Sequence, residues 1–238
     1  MVMTLSQSTR SDKEVEVTEI FSSLQGEGKR CGYPATFVRL RRCNLACSWC
    51  DQKETWDVND PGYYLYNNMH LGEVRDKIME YDNPLLVITG GEPLLWQRQL
   101  QSLIDSIPGN MSIEIETNGT VPPNILKLTR AEYNISPKLL NSNNGNRDTN
   151  ISEEYLDLYK RNLAIFKFVV KDDKDFQEID AFVYKYNLNP KGIYIMPEGV
   201  DKDTICSRLP WLFGLCGLRK FKLTTRLHVL AFGDAKGV

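Results

Sequence analysis

The sequence predicts an α/β protein built on a mainly parallel sheet, open or curled into a partial barrel. Two patterns predict it. Six short apolar runs, at residues 35–40, 85–89, 112–116, 133–135, 165–170 and 193–196, read as buried strands. Segments 71–81, 95–107, 152–161 and 175–186, interleaved with those runs, repeat their apolar residues at helical spacing. Strands that alternate with helices are joined by crossovers, and crossovers give parallel pairing. Residues 15–20 read as an additional edge strand and 220–224 as another near the end. The run 141–150, rich in Asn, Ser, Gly and Asp, reads as an exposed loop.

Composition narrows the class. At 238 residues the chain is long enough to bury a substantial core, and 42% hydrophobic with 25% charged residues is the balance of a soluble globular protein. A net charge of -2 excludes whole-protein attraction to nucleic acid or anionic membranes. No apolar run approaches the roughly 20 residues that span a bilayer. The polar residues 1–14 lack a signal peptide's apolar stretch and read as a flexible leader, with one domain over 15–238. The expected location is cytoplasmic, where cysteines stay reduced. The six cysteines are therefore poor disulfide candidates.

Three of the six stand as Cys43, Cys47 and Cys50, a C-x3-C-x2-C spacing just past the strand ending at Leu40. Three thiolates this close converge on one metal centre and leave one cluster iron without a protein ligand. Zinc would want a fourth ligand at its own spacing. His70 and His228 are unpaired, and Cys31, Cys206 and Cys216 are scattered. In parallel sheets chemistry collects at the carboxyl ends of strands. Besides Cys43, four other motifs fall there: Gly90-Gly91-Glu92-Pro93, Thr117-Asn118-Gly119, Ser136-Pro137-Lys138 and Pro197-Glu198-Gly199. Five motifs at five strand ends predict one shared pocket. Each has a plainer reading as a turn, since Gly-Gly and Asn-Gly are ordinary turn pairs.

The C-x3-C-x2-C spacing followed by Gly-Gly-Glu-Pro resembles the radical S-adenosylmethionine (SAM) superfamily. The resemblance implies a partial (β/α)6 barrel, a [4Fe–4S] cluster on Cys43, Cys47 and Cys50, and SAM on the open iron. It places Trp49, Asp51, Gly90, Gly91, Glu92, Glu116, Thr117, Ser136, Pro137 and Lys138 around SAM. Glu92 is then the carboxylate facing the SAM ammonium.

The stretch from Glu19 to Gly28, the Phe37-Val38-Arg39 run, Trp49-Cys50-Asp51, the Ser136-Pro137-Lys138 segment and the ending from Leu227 to Val238 resemble the 7-carboxy-7-deazaguanine synthases. That family contracts the ring of 6-carboxy-5,6,7,8-tetrahydropterin to 7-carboxy-7-deazaguanine with loss of ammonia. The resemblance implies substrate contacts at Leu24, Gln25, Gly26, Glu27, Arg39, Thr89 and Val238, a flavodoxin or ferredoxin as electron donor, and a homodimer. It implies no nucleic-acid or membrane partner. The residues suit a pterin: Gln25 carries an amide for a lactam edge and Arg39 a fork for a carboxylate. The plain alternatives are that Gln25 caps its own loop and that Arg39 pairs with an internal acid. Rival functions are a glycyl-radical activase, or a non-catalytic iron–sulfur or zinc protein.

Two positions depart from the family. Arg42 stands where Gly usually precedes the first cluster cysteine. Gln52 stands where Thr or Ser usually binds Mg²⁺. An amide oxygen binds Mg²⁺ too, but on a longer arm, whereas its NH₂ would meet a substrate carboxylate directly. The substitution favours weak Mg²⁺ dependence. The cysteine reading makes a first prediction. Anaerobically purified protein holds about four irons per chain, and Ala at Cys43, Cys47 or Cys50 abolishes SAM cleavage. Ala at Cys31, Cys206 or Cys216 leaves it intact. A colourless zinc protein with full activity overturns the assignment.

Overall fold

A computed structural model describes residues 12–124 and 130–238. The leader expected at 1–14 lies almost wholly outside these residues, and the first strand already begins at Glu14. One nine-stranded sheet organises the chain, in the order β3-β1-β2-β4-β5-β6-β7-β8-β9. Strands β2 (Pro34–Leu40), β4 (Leu85–Gly90), β5 (Ser112–Thr117), β6 (Ala131–Ile135), β7 (Ala164–Val170), β8 (Ile193–Pro197) and β9 (Lys222–Leu223) run parallel. Among the described residues β9 does not pair back to β3, so the sheet stays open. All six apolar runs are strands, because each buries nearly every side chain on both faces, as central parallel strands must.

Residues 15–20 belong to β1 (Glu14–Leu24), which pairs antiparallel with β2. It is not the edge that its position suggested. Strand β3 (Asn67–His70) covers it, pairing Glu14 with His70 through Val17 with Asn67. The sequence of β3 is polar and short, so it carries no period to read.

Helices α1 (Leu71–Glu80), α2 (Gln97–Ser106), α3 (Glu154–Lys160) and α4 (Asp173–Lys185) fall where spacing placed them, within a few residues. Helix α2 starts late because Pro93–Trp96 forms a tighter turn capped by Glu92. Helix α4 starts early because Asp172 and Asp175 form a reciprocal capping box. The 18-residue α5 (Lys202–Arg219) has no counterpart in the spacing analysis. Pro210 lies inside it and Gly214 and Gly217 interrupt its pattern, and all three read as breakers. A short α6 (Leu227–Phe232) follows.

The core runs between sheet and helices, from Val38, Leu86 and Ile115 to Phe166, Phe168 and Ile195, all fully buried. At the carboxyl edge, β2 and β4 come unusually close. A side chain at Gly90 would meet the Leu40 backbone at 2.0 Å, and one at Gly91 the Arg42 carbonyl oxygen at 2.2 Å. Gly91 and Glu92 donate their amides to the Leu40 and Arg42 carbonyls at 3.0 and 2.7 Å. Only glycines let two strand exits dock this tightly.

The exit of β2 turns at Arg42, whose φ is 79°. The left-handed turn that glycine would make is therefore kept with an arginine in it. Two contacts hold it there. Its guanidinium forks onto Glu16, with Nε 2.7 Å from Oε2, and lies 5.5 Å from the Trp96 ring. Arg42→Gly relieves the backbone and loses the fork, whereas Arg42→Ala loses the fork and keeps a side chain at positive φ. Arg42→Ala is therefore the less stable by about 1–2 kcal/mol in urea denaturation. An alanine variant as stable as the glycine variant contradicts this account of the turn.

Candidate active site

A cavity of about 230 Å³ opens at the carboxyl edge of the sheet. All five strand-end motifs reach it. Its lining includes Cys43, Cys47, Cys50, Gly90, Gly91, Thr117, Asn118, Ser136, Lys138 and Pro197 through Gly199. Trp49, Asp51, Gln52, Leu24, Gln25, Gly26, Glu27, Arg39, Thr89, Glu116 and Val238 line it too. Of the residues assigned to cluster, cofactor or substrate, Glu92 and Pro137 are outside the lining. Pro137 borders a smaller hollow on the other side of its loop.

Glu92 is fully buried behind the cavity wall. Its carboxylate accepts from the Leu94 amide at 3.0 Å, the Thr117 hydroxyl at 2.8 Å and the Asn118 amide at 2.8 Å. Burial pushes its pKa up to about 7 despite those donors. Here Glu92 ties the β4 exit to the β5 exit. The carboxylate expected to face an ammonium is held by two backbone amides and the Thr117 hydroxyl instead.

Each cluster-type cysteine has a donor aimed at its sulfur. The Leu45 amide points at Cys43 Sγ at 3.4 Å, and the Gln52 amide at Cys50 Sγ at 3.4 Å. Asn144 Nδ2 lies 3.3 Å from Cys47 Sγ. The buried Trp56 indole N–H, with no other partner among the described residues, pulls the Cys50 thiol down. Burial wins, however: it pushes Cys43 up to about 12 and raises Cys50 as well. Thiols so placed ionise only against a cationic partner.

Among the described residues, no three His, Cys, Asp or Glu side chains converge tightly enough for one metal ion. Zinc would need its sulfurs about 3.8 Å apart, from Zn–S bonds of about 2.3 Å. A four-iron cluster spans a wider gap and suits three donor-lined sulfurs around a cavity. Three thiols on one loop, each with an N–H aimed at its sulfur, are a donor set that fits a cluster.

The other wall is ionic. Glu27 contacts Lys167 and accepts from Arg226 Nε at 3.0 Å. Burial alone would raise its carboxyl, but Lys167, Arg226 and His228 more than offset this and hold it well below the usual range. Arg226 also grips Asp51, beside the last cysteine, and donates to the Gly199 carbonyl at 2.8 Å. Burial would lift Asp51 too, and Arg226 pulls it below its ordinary value. Lys236 donates to the Asp51 carbonyl at 2.7 Å, which brings the terminal Val238 to the cavity.

Gln25 is 2% exposed and already engaged. Its Nε2 donates to Glu114 Oε1 at 2.9 Å and Glu116 Oε1 at 3.1 Å, while its Oε1 accepts the Glu27 amide at 3.1 Å. It caps its own loop and orients Glu116, which also accepts from Thr89 at 2.8 Å. Arg39 donates from Nε to Glu19 at 3.1 Å while remaining on the cavity wall. For both, the plain alternative holds alongside the place in the cavity. Gln52 Oε1 is buried with no hydrogen-bond partner among the described residues.

Sequence reasoning missed Lys167, Arg226, His228, Trp56 and Asn144. His228 lies inside the terminal motif and Arg226 just before it, which was the available signal. Lys167 sits mid-strand in β7, and nothing in its neighbours marks it. The run 141–150 is not simply an exposed loop: Ser142 and Asn144 are buried under the cysteine loop.

Fold and site together define a class. A radical SAM superfamily model matches residues 37–167, over half of the chain, so the chain belongs to that superfamily. A 7-carboxy-7-deazaguanine synthase from Pyrobaculum aerophilum is 36% identical across 94% of this chain and 97% of its own length. Another so named, from Hyperthermus butylicus, is 30% identical across 91% and 92%. The crystal structure of QueE from Escherichia coli matches with a TM-score of 0.69 and 25% identity, covering 90% of this chain and 95% of that one. This chain belongs to the 7-carboxy-7-deazaguanine synthase family.

Glu114 carries the pH prediction. Burial, with the nearby Glu116 charge, pushes it from its ordinary 4.5 up to about 7. The fold therefore favours its protonated form. That contribution is fully present below pH 4.5 and is lost as the pH rises to about 7. Between those limits, melting temperature falls more steeply with rising pH in the native apoprotein than in Glu114→Gln. Parallel curves through this window refute the assignment.

Proposed function

We propose that this chain catalyses the ring contraction of 6-carboxy-5,6,7,8-tetrahydropterin to 7-carboxy-7-deazaguanine, with release of ammonia. The observation that carries it is one cavity shared by the three-cysteine loop, the Gly90-Gly91 turn, the Gln25-Gly26-Glu27 loop and the chain's end. Cys43, Cys47 and Cys50 would hold a [4Fe–4S] cluster with SAM beside it, and together these would supply the radical chemistry that removes a hydrogen atom from the pterin.

The chain's own residues bind, orient and shield. On the SAM side stand Trp49, Asp51, Gly90, Gly91, Thr117, Ser136 and Lys138, with Glu92 and Pro137 supporting them from behind. Lys138 is held 2.8 Å from the Ser136 hydroxyl and 5.4 Å from the Trp49 ring, which fixes a cation over that wall. On the substrate side, Leu24, Gly26, Thr89 and Val238 shape a slot for a flat ring. Glu116, expected beside SAM, is instead oriented by Gln25 and Thr89 to offer its carboxylate to an N–H edge of the ring, and Glu27 offers a second. Arg39 offers its fork to the pterin carboxylate.

A one-electron donor of the flavodoxin or ferredoxin type and a homodimer complete the proposal, both on family likeness. Mg²⁺ would take one protein oxygen here, Gln52 Oε1, and the rest of its shell from substrate and water. That buried oxygen's lack of a partner supports an ion contact over a contact through its NH₂, which would leave the oxygen unsatisfied.

The test is incubation with carboxytetrahydropterin, SAM and dithionite, reading product mass. Absence of the deazaguanine while SAM is cleaved without substrate turnover refutes the substrate. Arg39→Ala raises the pterin KM or lowers turnover and leaves uncoupled SAM cleavage in place. An equal loss of SAM binding overturns this division of the cavity. For Gln52, turnover is compared with EDTA and with millimolar Mg²⁺. Against the weak dependence that the sequence favoured, stimulation of the native enzyme is expected, and stimulation of Gln52→Thr alone overturns the contact.

A further inference from the structure

The buried Asn144 belongs to none of the motifs that define the site, yet it is built into the cysteine loop. Its Oδ1 accepts the Ala46 amide at 2.8 Å. Its Nδ2 donates to the Ser142 hydroxyl at 2.8 Å, and that hydroxyl sends its own proton to the Leu139 carbonyl at 2.6 Å. These partners settle which way the amide faces. Ala46 brings only a donor, and Ser142 has only an acceptor left. The remaining N–H of Nδ2 therefore falls to Cys47 Sγ, 3.3 Å away. The reverse contact, from a Cys47 S–H to Oδ1, is 3.8 Å long and disappears once the sulfur is a thiolate.

We propose that Asn144 is a positioning residue for the cluster, donating an N–H to the Cys47 thiolate and so making the cluster easier to reduce. This rests on the reading that Cys43, Cys47 and Cys50 hold the [4Fe–4S] cluster. The other two sulfurs already receive backbone amides of their own loop, from Leu45 and Gln52. Cys47 alone of the three takes its closest N–H from a different element, the loop after β6. Reduction adds one negative charge to a cluster held by thiolates. A donor aimed at a sulfur stabilises that charge, and hydrogen bonds to the sulfurs set iron–sulfur potentials. The donor works at close range in a buried setting, where water does not screen it.

The same amide joins two loops that must keep register. Asn141 reaches from the same segment to the Trp49 indole at 3.0 Å, and the Ser142 carbonyl accepts the Ser48 amide at 2.8 Å. These two contacts do not touch a sulfur. They hold the cysteine loop on the β6 loop when Asn144 is replaced.

The experiment is a dithionite redox titration of the reconstituted cluster, without pterin, followed by the electron paramagnetic resonance of its reduced state. Asn144→Leu keeps the volume and removes the donor. With iron content unchanged, its reduced-to-oxidised ratio at a fixed potential falls about tenfold, a shift of about 59 mV to more negative potential for one electron. Asn144→Gln, which keeps an amide, recovers part of the shift. An Asn144→Leu potential equal to the native one overturns the proposal. If Asn144→Leu takes up no cluster, Asn144→Ser, whose hydroxyl is too short to reach the sulfur, is read in its place. Failure of both to load while circular dichroism shows them folded also overturns it, leaving Asn144 a structural bracket. A native protein that holds no cluster refutes the cluster reading instead, which keeps the two failures apart.

Discussion

The docking of two strand exits, residues 40–42 against 90–92, sets the position of everything above the sheet. Gly90 and Gly91 present no side chain, so the amides of Gly91 and Glu92 close on the Leu40 and Arg42 carbonyls. Cys43 starts from this clasp. Glu92 then carries the constraint to the next strand through Thr117 and Asn118. Three neighbouring strand ends are thus held at fixed height by short polar contacts. The cysteine loop inherits its geometry from backbone that cannot slide without breaking several buried hydrogen bonds.

A second constraint closes the opposite side. Arg226 joins Asp51, Glu27 and the Gly199 carbonyl, drawing together the cysteine loop, the first strand's exit loop and the turn after β8. Buried charges are tolerable only when paired, and here Lys167, Glu27 and Arg226 pair in a chain that ends on the more exposed Asp51. One wall of the cavity carries the three cysteines and the Gly90-Gly91 turn, and the other the ion pairs of Glu27 with Lys167 and Arg226. That contrast divides one space into two chemically different regions, and it comes from strands far apart in sequence.

Much of this was legible in the residues. Apolar runs marked all six central strands, because strands buried on both faces must be apolar throughout. The three cysteines, the Gly-Gly-Glu-Pro turn and the Ser-Pro-Lys segment were legible as local spacing, and local spacing survives folding. Strand β3 was not, because the polar Asn67–His70 segment owes its conformation to the edge of β1 that it covers. Helix α5 was hidden by Pro210 and two glycines, whose cost the tertiary packing of Ile205, Leu212 and Cys216 overcomes.

The sequence by itself determined which atoms are available: three thiolates, a hinge of glycines and a set of charges near strand ends. Tertiary structure decided how those atoms are spent. Glu92 reads as a carboxylate for a ligand, yet three donors from its own chain surround it. Arg42 reads as an error in a glycine turn, yet Glu16 and Trp96 hold it at positive φ. Asn144 reads as one more polar residue in a loop, yet it lies beneath Cys47. In each case the deciding partner is distant along the chain. A side chain's donors and acceptors are written in its residue type, but whether they meet ligand or protein depends on contacts that only the folded chain makes.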